Sequence, residues 1–131
     1  MDINYWNKDI EKIGKKELEN YQLKNLKETI YWALKTPFYK ERLKSVGITS
    51  PDDIKTLLDI NKIPYTTKED LRSAYPYKLL AVPKEDVVRL HTSSGTTGSM
   101  TVIYHTQRDI DGWTELAARA VTMVGDRKSV V

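Results

Sequence analysis

Five prolines lie between positions 37 and 83 of this 131-residue chain, and they limit what that stretch can become. Proline has no backbone N–H and moves the preceding residue out of the helical region. A long helix or a central strand therefore cannot run through this part of the chain. The spacing predicts a succession of short elements, with any long helix before Pro37 and any strands after Pro83.

The residues before the first proline have a helical apolar pattern. Apolar side chains recur at intervals of three and four, which is the period of one helix face. Gly14 separates this helix from a shorter apolar segment, and Pro37 ends it. A second short helix is predicted to stop near Gly47. The periodic positions of the long helix are Leu23, Leu26, Ile30, Ala33 and Leu34.

Hydroxyl residues followed by an acid mark further helix starts. Thr67 with Asp70, and Thr106 with Asp109, have the spacing of a capping box. Ser50 precedes a proline and two acids, which is also typical of a helix start. Gly125 is a natural stop for the last helix. Its predicted buried face comprises Ile110, Trp113, Ala117, Ala120, Val121 and Val124.

Two β-branched runs, 87–91 and 101–105, flank a loop rich in hydroxyls and glycine. Gly95 and Gly98 allow positive φ and close approach of the backbone to a ligand. Converging N–H groups can hold an anion, and the hydroxyls of Ser93, Ser94, Thr96 and Thr97 add donors. On composition alone, a phosphate-binding loop and a flexible surface loop without a ligand are about equally compatible with this segment. Met100 stands where a Walker A loop needs its second glycine, so that motif is excluded.

The composition excludes several classes of protein. The chain contains no cysteine, which rules out a disulfide scaffold, a thiolate zinc site and a cysteine nucleophile. A net charge of +3 with mixed signs does not indicate a nucleic-acid surface, and no apolar run is long enough for a membrane helix. We therefore expect neither a nucleic acid nor a membrane as a partner. His91 and His105 lack a third ligand at a recognisable spacing, so they are interpreted as structural residues at strand ends.

The loop resembles the phosphate loop of the adenylate-forming superfamily, on the residues Ser93-Ser94-Gly95-Thr96-Thr97-Gly98. The flanks Leu90-His91-Thr92 and Thr101-Val102 are similar to the phenylacetate–CoA ligase branch. Further similar segments are Thr36-Pro37-Phe38-Tyr39, Ile63-Pro64-Tyr65-Thr66-Thr67-Lys68, Asp70-Leu71-Arg72 and Trp113-Thr114-Glu115-Leu116. The resemblance therefore extends over nearly the whole chain.

This resemblance implies an α/β fold and a division of the chain into two segments. The implied function is that of the N-terminal part of an AMP-forming ligase, which adenylates a carboxylate with ATP and transfers the acyl group to CoA. Residues 1–86 would form a helical segment, and 87–131 would begin the adenylation domain with a β-loop-β unit and a helix. ATP, Mg²⁺ and CoA are the implied cofactors, with an aromatic carboxylic acid as substrate in phenylacetate catabolism and a cytoplasmic location. The loop of Ser93, Ser94, Gly95, Thr96, Thr97 and Gly98 would bind the ATP phosphates. No residue of this chain is predicted to be catalytic, and the CoA site is expected outside it.

Family members continue well beyond the length of this chain. The resemblance therefore predicts an N-terminal fragment with an incomplete adenylation domain, inactive in thioester synthesis on its own. Ser99 and Met100 also depart from the usual loop continuation, which places a proline after Gly98 and one further residue. The alternative function is a non-catalytic remnant of such a ligase, which would associate with a second copy through apolar faces left uncovered.

Overall fold

The computed structural model describes residues 4–93 and 101–125. Within these ranges the chain forms five α-helices and one antiparallel pair of strands. The helices are α1 (Lys8–Glu11), α2 (Lys15–Ala33), α3 (Pro37–Ser45), α4 (Lys68–Ser73) and α5 (Gln107–Met123), and the strands are β1 (Val87–Thr92) and β2 (Val102–Thr106). Three short 3₁₀ helices occupy Pro51–Asp53, Leu57–Lys62 and Lys84–Asp86. The predicted combination of a helical segment with two strands and a following helix is confirmed.

The sequence correctly predicts the limits of α2 and the end of α3. Gly14 is the N-cap of α2, and α2 ends before the proline that opens α3. The Thr36 hydroxyl accepts a hydrogen bond from Tyr39 N at 3.1 Å, which caps α3. Gly47 follows α3 with a φ of 79°, a conformation that favours glycine. No helix in the described ranges, α2 included, is both long and apolar enough to cross a membrane.

An apolar cluster joins the helical half of the molecule. Ile30 from α2, Leu43 from α3, and Ile48 and Ile54 from the segment after α3 are each at most 2% exposed. Burial of one such side chain contributes about 1.5–3 kcal/mol. Because these four residues come from three separate parts of the chain, their contact fixes α2 and α3 against the segment that follows.

Acid side chains organise the proline-rich stretch. Thr67 and Asp70 form the predicted capping box of α4. A comparable arrangement that the sequence analysis missed involves Asp59, which accepts from Lys55 N at 2.7 Å and Thr56 N at 2.8 Å. The Lys62 ammonium lies 2.7 Å from the same carboxylate. The hydrogen bond from Lys62 is the largest cause that holds the pKa of Asp59 well below its usual range, followed by the hydrogen bonds from the two backbone amides.

The strands β1 and β2 pair antiparallel, as the loop prediction requires. Leu90 lies opposite Tyr104 and Thr92 opposite Val102, with an irregularity near the start of β1. Side chains alternate between two faces of this hairpin. Leu90, Thr92, Val102 and Tyr104 border a cleft against α4, whereas the rings of His91 and His105 lie beside Trp113 of α5. The hairpin therefore lies between two helices.

The predicted buried face of α5 is largely wrong. Trp113 is 47% exposed and Val124 is 78% exposed, and Ala117 and Ala120 are exposed as well. Ile110 and Val121 are half-buried. The fully buried positions are Ala118 and Thr122. The small Ala118 side chain allows close packing on that side, and no described residue covers most of the apolar stripe on the other.

Hydrogen bonds connect the two segments that were predicted to divide at residue 86. Trp6 Nε1 donates to Glu115 Oε2 at 2.8 Å, and Asn7 Nδ2 donates to Glu115 Oε1 at 3.3 Å. Arg119 contacts the same carboxylate at 2.9 Å. The start of the described chain is therefore bonded to α5, and the domain boundary stays a prediction.

We predict that the Trp6–Glu115 contact weakens in acid. The Trp6 hydrogen bond, then those of Arg119 and Asn7, lower the pKa of Glu115 below its usual 4.5. Because the folded-state pKa is lowered, the stabilisation is complete above about pH 4.5 and is lost as pH falls through the lowered value. The Trp6 indole N–H resonance should therefore move as the sample is titrated from pH 7 to 2.

Glu115→Gln should remove that movement, since the amide does not ionise. Glu85→Gln, at an exposed position on a 3₁₀ helix, is the matched control and should leave it unchanged. An indole resonance that moves equally in the Glu115→Gln protein would contradict the assignment.

Candidate phosphate-binding site

The structure describes one of the six predicted phosphate-binding residues. Ser93 follows β1 directly, and Ser94, Gly95, Thr96, Thr97 and Gly98 lie outside the described residues. The chain is described again from Thr101, immediately before β2. The phosphate-loop assignment therefore stays a prediction. The structure does describe the geometry of the two residues that flank the segment, Ser93 and Thr101.

Ser93 and Thr101 close the hairpin with three hydrogen-bonding contacts, which we call the Ser93–Thr101 clasp. Ser93 N donates to the Thr101 carbonyl at 3.1 Å. The hydroxyl oxygens Ser93 Oγ and Thr101 Oγ1 lie 2.6 Å apart. Thr101 N donates to Ser93 Oγ at 3.4 Å. The clasp extends the pairing one step beyond Thr92 and Val102 and holds both ends of the segment 94–100 together.

The two members of the clasp differ in burial. Thr101 is 8% exposed, whereas Ser93 is exposed. A buried hydroxyl is costly unless it has a hydrogen-bond partner, and Ser93 supplies that partner.

A cleft of about 610 Å³ lies between α4 and the nearer face of the hairpin. Small-molecule sites typically have volumes of about 300–1,000 Å³. Burial, with smaller contributions from the neighbouring Tyr77 and Tyr75, raises the pKa of Tyr104 above its usual value. The cleft is lined by Glu69, Arg72, Ser73, Tyr75, Leu90, Thr92, Val102 and Tyr104.

On the other face of the hairpin, His91, His105 and Trp113 form a cluster of rings. The ring centroids are 4.8 Å apart for the histidine pair, and Trp113 lies 5.2 Å from His91 and 4.6 Å from His105. His105 is 8% exposed, and its Nε2 is buried without a hydrogen-bond partner in the described structure. Residues 4–93 and 101–125 contain no group of three or more potential metal-ligating side chains. The two histidines pack against each other and against Trp113, and their interpretation as structural residues stays a prediction.

Comparison with known proteins gives close relatives and a matching structure. The chain is 46% identical to phenylacetate-coenzyme A ligase of Pseudomonas putida over 116 residues, which are 85% of this chain and 25% of that protein. It is 44% identical over 117 residues to the Escherichia coli K12 enzyme of the same name, covering 88% of this chain and 26% of the relative. No family model matches the chain.

The structural match leads to the same class. A crystal structure of 2-hydroxyisobutyryl-CoA ligase, in complex with 2-HIB-AMP and CoA, superposes with a TM-score of 0.77 at 28% identity. The match covers 88% of this chain and 25% of the solved chain. The chain thus spans about a quarter of the length of the proteins it matches.

The chain is homologous to acyl-CoA ligases, both in sequence and in the fold of the described residues. More narrowly, it fits a fragment of the phenylacetate-CoA ligase family, because relatives of that name match it along most of its length. The resemblance inferred from the loop and its flanks is confirmed.

We predict that His105→Phe leaves the protein as stable or makes it about 1 kcal/mol more stable. Phenylalanine retains the ring contacts with Trp113 and removes a buried nitrogen that has no partner, a group that costs roughly 1–3 kcal/mol. Urea-induced unfolding measures the difference. His91→Phe is the matched control at an exposed position, with an expected change within about 0.5 kcal/mol. A clear loss of stability in His105→Phe alone would contradict this prediction.

Proposed function

We propose that this chain supplies the N-terminal, phosphate-binding part of an AMP-forming CoA ligase for phenylacetate or a closely related aromatic acid. The observation that carries the proposal is the 44–46% identity to phenylacetate-coenzyme A ligases over 85–90% of the chain. The clasp supports it, because it holds together the ends of the glycine- and hydroxyl-rich segment. A loop closed at its base is suited to surround an anion with N–H groups.

In the proposed reaction the acid carboxylate attacks the ATP α-phosphate and releases pyrophosphate, and the CoA thiol then displaces AMP to form the thioester. The residues of this chain bind and orient the β- and γ-phosphates, by hydrogen bonds from the loop of Ser93, Ser94, Gly95, Thr96, Thr97 and Gly98. Mg²⁺ would share the negative charge of these phosphates. The described residues add the Ser93 hydroxyl at one end of the loop. This contribution is electrostatic positioning, and it involves no covalent step.

The rest of the reaction is assigned to chain segments that the relatives have and this chain does not span. The chain corresponds to about a quarter of their length, so we place the acid pocket and the CoA site in the remainder. We propose that the chain alone makes no thioester, and that 87–131 opens the adenylation domain after the helical segment 1–86. A cytoplasmic location and a role in phenylacetate catabolism belong to the same proposal.

We predict that the isolated chain binds Mg·ATP, measured by isothermal titration calorimetry. Gly95→Ala restricts the loop backbone, and Thr97→Val removes a hydroxyl donor, so each should weaken binding about tenfold or more. A hydrogen bond to a charged group contributes about 1.5–3 kcal/mol, which corresponds to roughly that factor. Gly112→Ala and Thr114→Val on α5 are the matched controls.

The controls should bind as tightly as the unmodified chain. Equal binding by all four variants would contradict the assignment of the loop, and absence of binding by the unmodified chain would contradict the proposed function. A thioester assay with phenylacetate, ATP and CoA completes the experiment. Substantial phenylacetyl-CoA synthesis by the 131-residue chain would contradict the proposal that the chain alone makes no thioester.

A second candidate function follows from the exposed stripe on α5. Leu116 is 60% exposed and Met123 is 72% exposed, and the two lie about two helical turns apart on the side that also carries Trp113. Exposed apolar stripes of this kind tend to acquire a partner. A single straight stripe can pair with its own copy around a two-fold axis. Under this alternative the chain is a non-catalytic remnant that forms a homodimer through α5.

We predict for this candidate that light scattering gives a dimeric mass at micromolar concentration. Leu116→Lys should return the protein to a monomer, because it places charge in the middle of the apolar stripe. Leu58→Lys, at a residue 76% exposed outside α5, is the matched control and should remain dimeric. A monomeric unmodified chain would contradict the homodimer and leave the ligase proposal standing.

A further inference from the structure

We propose that the exposed apolar stripe of α5 is the docking surface for the part of the ligase that this chain does not span. The stripe comprises Trp113, Leu116, Ala120 and Met123, which follow one another at intervals of three and four residues. The inference rests on the proposed function, because it names the partner of a chain that supplies one part of a ligase. It holds for a partner on the same polypeptide and for one on a separate polypeptide.

The described residues after position 86 have almost no apolar core of their own. Their fully buried side chains are small or polar, namely Thr101, His105, Ala118 and Thr122. The helical half, by contrast, buries large aliphatic side chains in its own cluster. A two-stranded hairpin is marginally stable unless further elements pack on an apolar face. The half that contains the hairpin and α5 therefore needs apolar contacts beyond those it makes itself.

Several large apolar side chains of this half are exposed instead. Trp113, Leu116 and Met123 are 47%, 60% and 72% exposed. Ile103 of β2 is 52% exposed, and it lies opposite His91, whose ring is 5.2 Å from Trp113. The apolar surface therefore continues from α5 to the neighbouring strand. A continuous exposed apolar surface of this kind marks an interaction site.

The stripe can be buried without removing a charged group from water. None of its four residues is charged, and the charged residues between its ends are Glu115 and Arg119. These two side chains are paired with each other at 2.9 Å, and Glu115 also accepts from Trp6 at 2.8 Å. Burial of an unpaired charge would oppose docking. The stripe is therefore suited to a permanent apolar contact.

Two observations favour the rest of a ligase over a second copy as the occupant. The chain covers 25% of the solved 2-hydroxyisobutyryl-CoA ligase chain that it matches, so most of that protein is additional polypeptide. Apolar exposure is also not confined to one side, because Leu90, which is 51% exposed, borders the cleft on the other face of the hairpin. Two copies joined by their α5 stripes around a two-fold axis would leave Leu90 uncovered. A partner several times larger than the chain can cover both faces.

The experiment produces this chain, with an affinity tag, together with Pseudomonas putida phenylacetate-coenzyme A ligase from which the 116 matched residues have been deleted. We expect the shortened ligase to co-purify with the chain in equal amounts and to stay with it in size-exclusion chromatography. Leu116→Lys should lower the recovery of the shortened ligase about tenfold or more, because it places a charge in the contact. Leu58→Lys, at a residue 76% exposed in the helical half, is the matched control and should leave recovery unchanged.

A second variant separates loss of docking from loss of folding. Met123→Lys changes another exposed position of the stripe and should have the same effect as Leu116→Lys. Circular dichroism and urea unfolding of the isolated variants should match those of the unmodified chain, because both positions are exposed. Normal recovery with both variants would overturn the proposal. So would an unmodified chain that does not retain the shortened ligase, or one that forms a homodimer in its place.

The failure of this inference and that of the proposed function are distinguishable. If the isolated chain binds Mg·ATP and recovery of the shortened ligase is insensitive to Leu116→Lys, the docking surface alone is overturned. If recovery depends on Leu116 and the isolated chain does not bind Mg·ATP, the phosphate-binding function is overturned and the docking surface is retained.

Discussion

The apolar contact among Ile30, Leu43, Ile48 and Ile54 is the interaction on which the helical half depends. Its members come from α2, α3 and the segment after them, and they are essentially without solvent exposure. In the described structure the short elements that follow have little apolar burial of their own. They are held instead by caps and ion pairs, such as Arg42 with Asp70 at 2.9 Å. The helical half therefore has a small apolar core, and the short elements around it are held mainly by contacts between polar groups.

A different kind of interaction stabilises the hairpin. Most of β1 is exposed, so backbone pairing holds it to β2 more than apolar burial does. The pairing ends in the Ser93–Thr101 clasp, which places a buried hydroxyl next to an exposed one. In the proposed ligase this pairing favours ligand binding, because a binding loop needs residues held rigidly at its two ends and an interior that the ligand can reach. Rigid strands and a variable loop between them are a common arrangement for binding sites.

Local signals in the sequence predicted most of the elements, and their failures have physical causes. Gly14, Pro37, Thr67 and Thr106 marked helix boundaries correctly, because capping and proline geometry act over three or four residues. The face of α5 was mispredicted because periodicity reveals which residues are apolar and not what covers them. Ala118 is buried although it lies outside the predicted apolar stripe.

The sequence pattern was also insufficient for contacts between distant residues. The clasp joins Ser93 to Thr101 through a register that no local rule specifies, although the flanking β-branched runs indicated two strands with a loop between them. The Asp59 cap was missed, although Thr56 three residues before it is the same signal that was used at Thr67. Within the candidate site, resemblance predicted the loop, and only the structure shows that Ser93 and Thr101 are hydrogen-bonded to each other.

The hydrogen bonds from Trp6 and Asn7 to Glu115 have a consequence for how the protein forms during synthesis. These partners are 108–109 residues apart along the chain. The ribosome releases residues 6 and 7 early, and their acceptor does not exist until α5 has been made. Docking of Trp6 and Asn7 onto α5 therefore cannot precede the synthesis of Glu115, whereas the residues of the apolar cluster are all made before it.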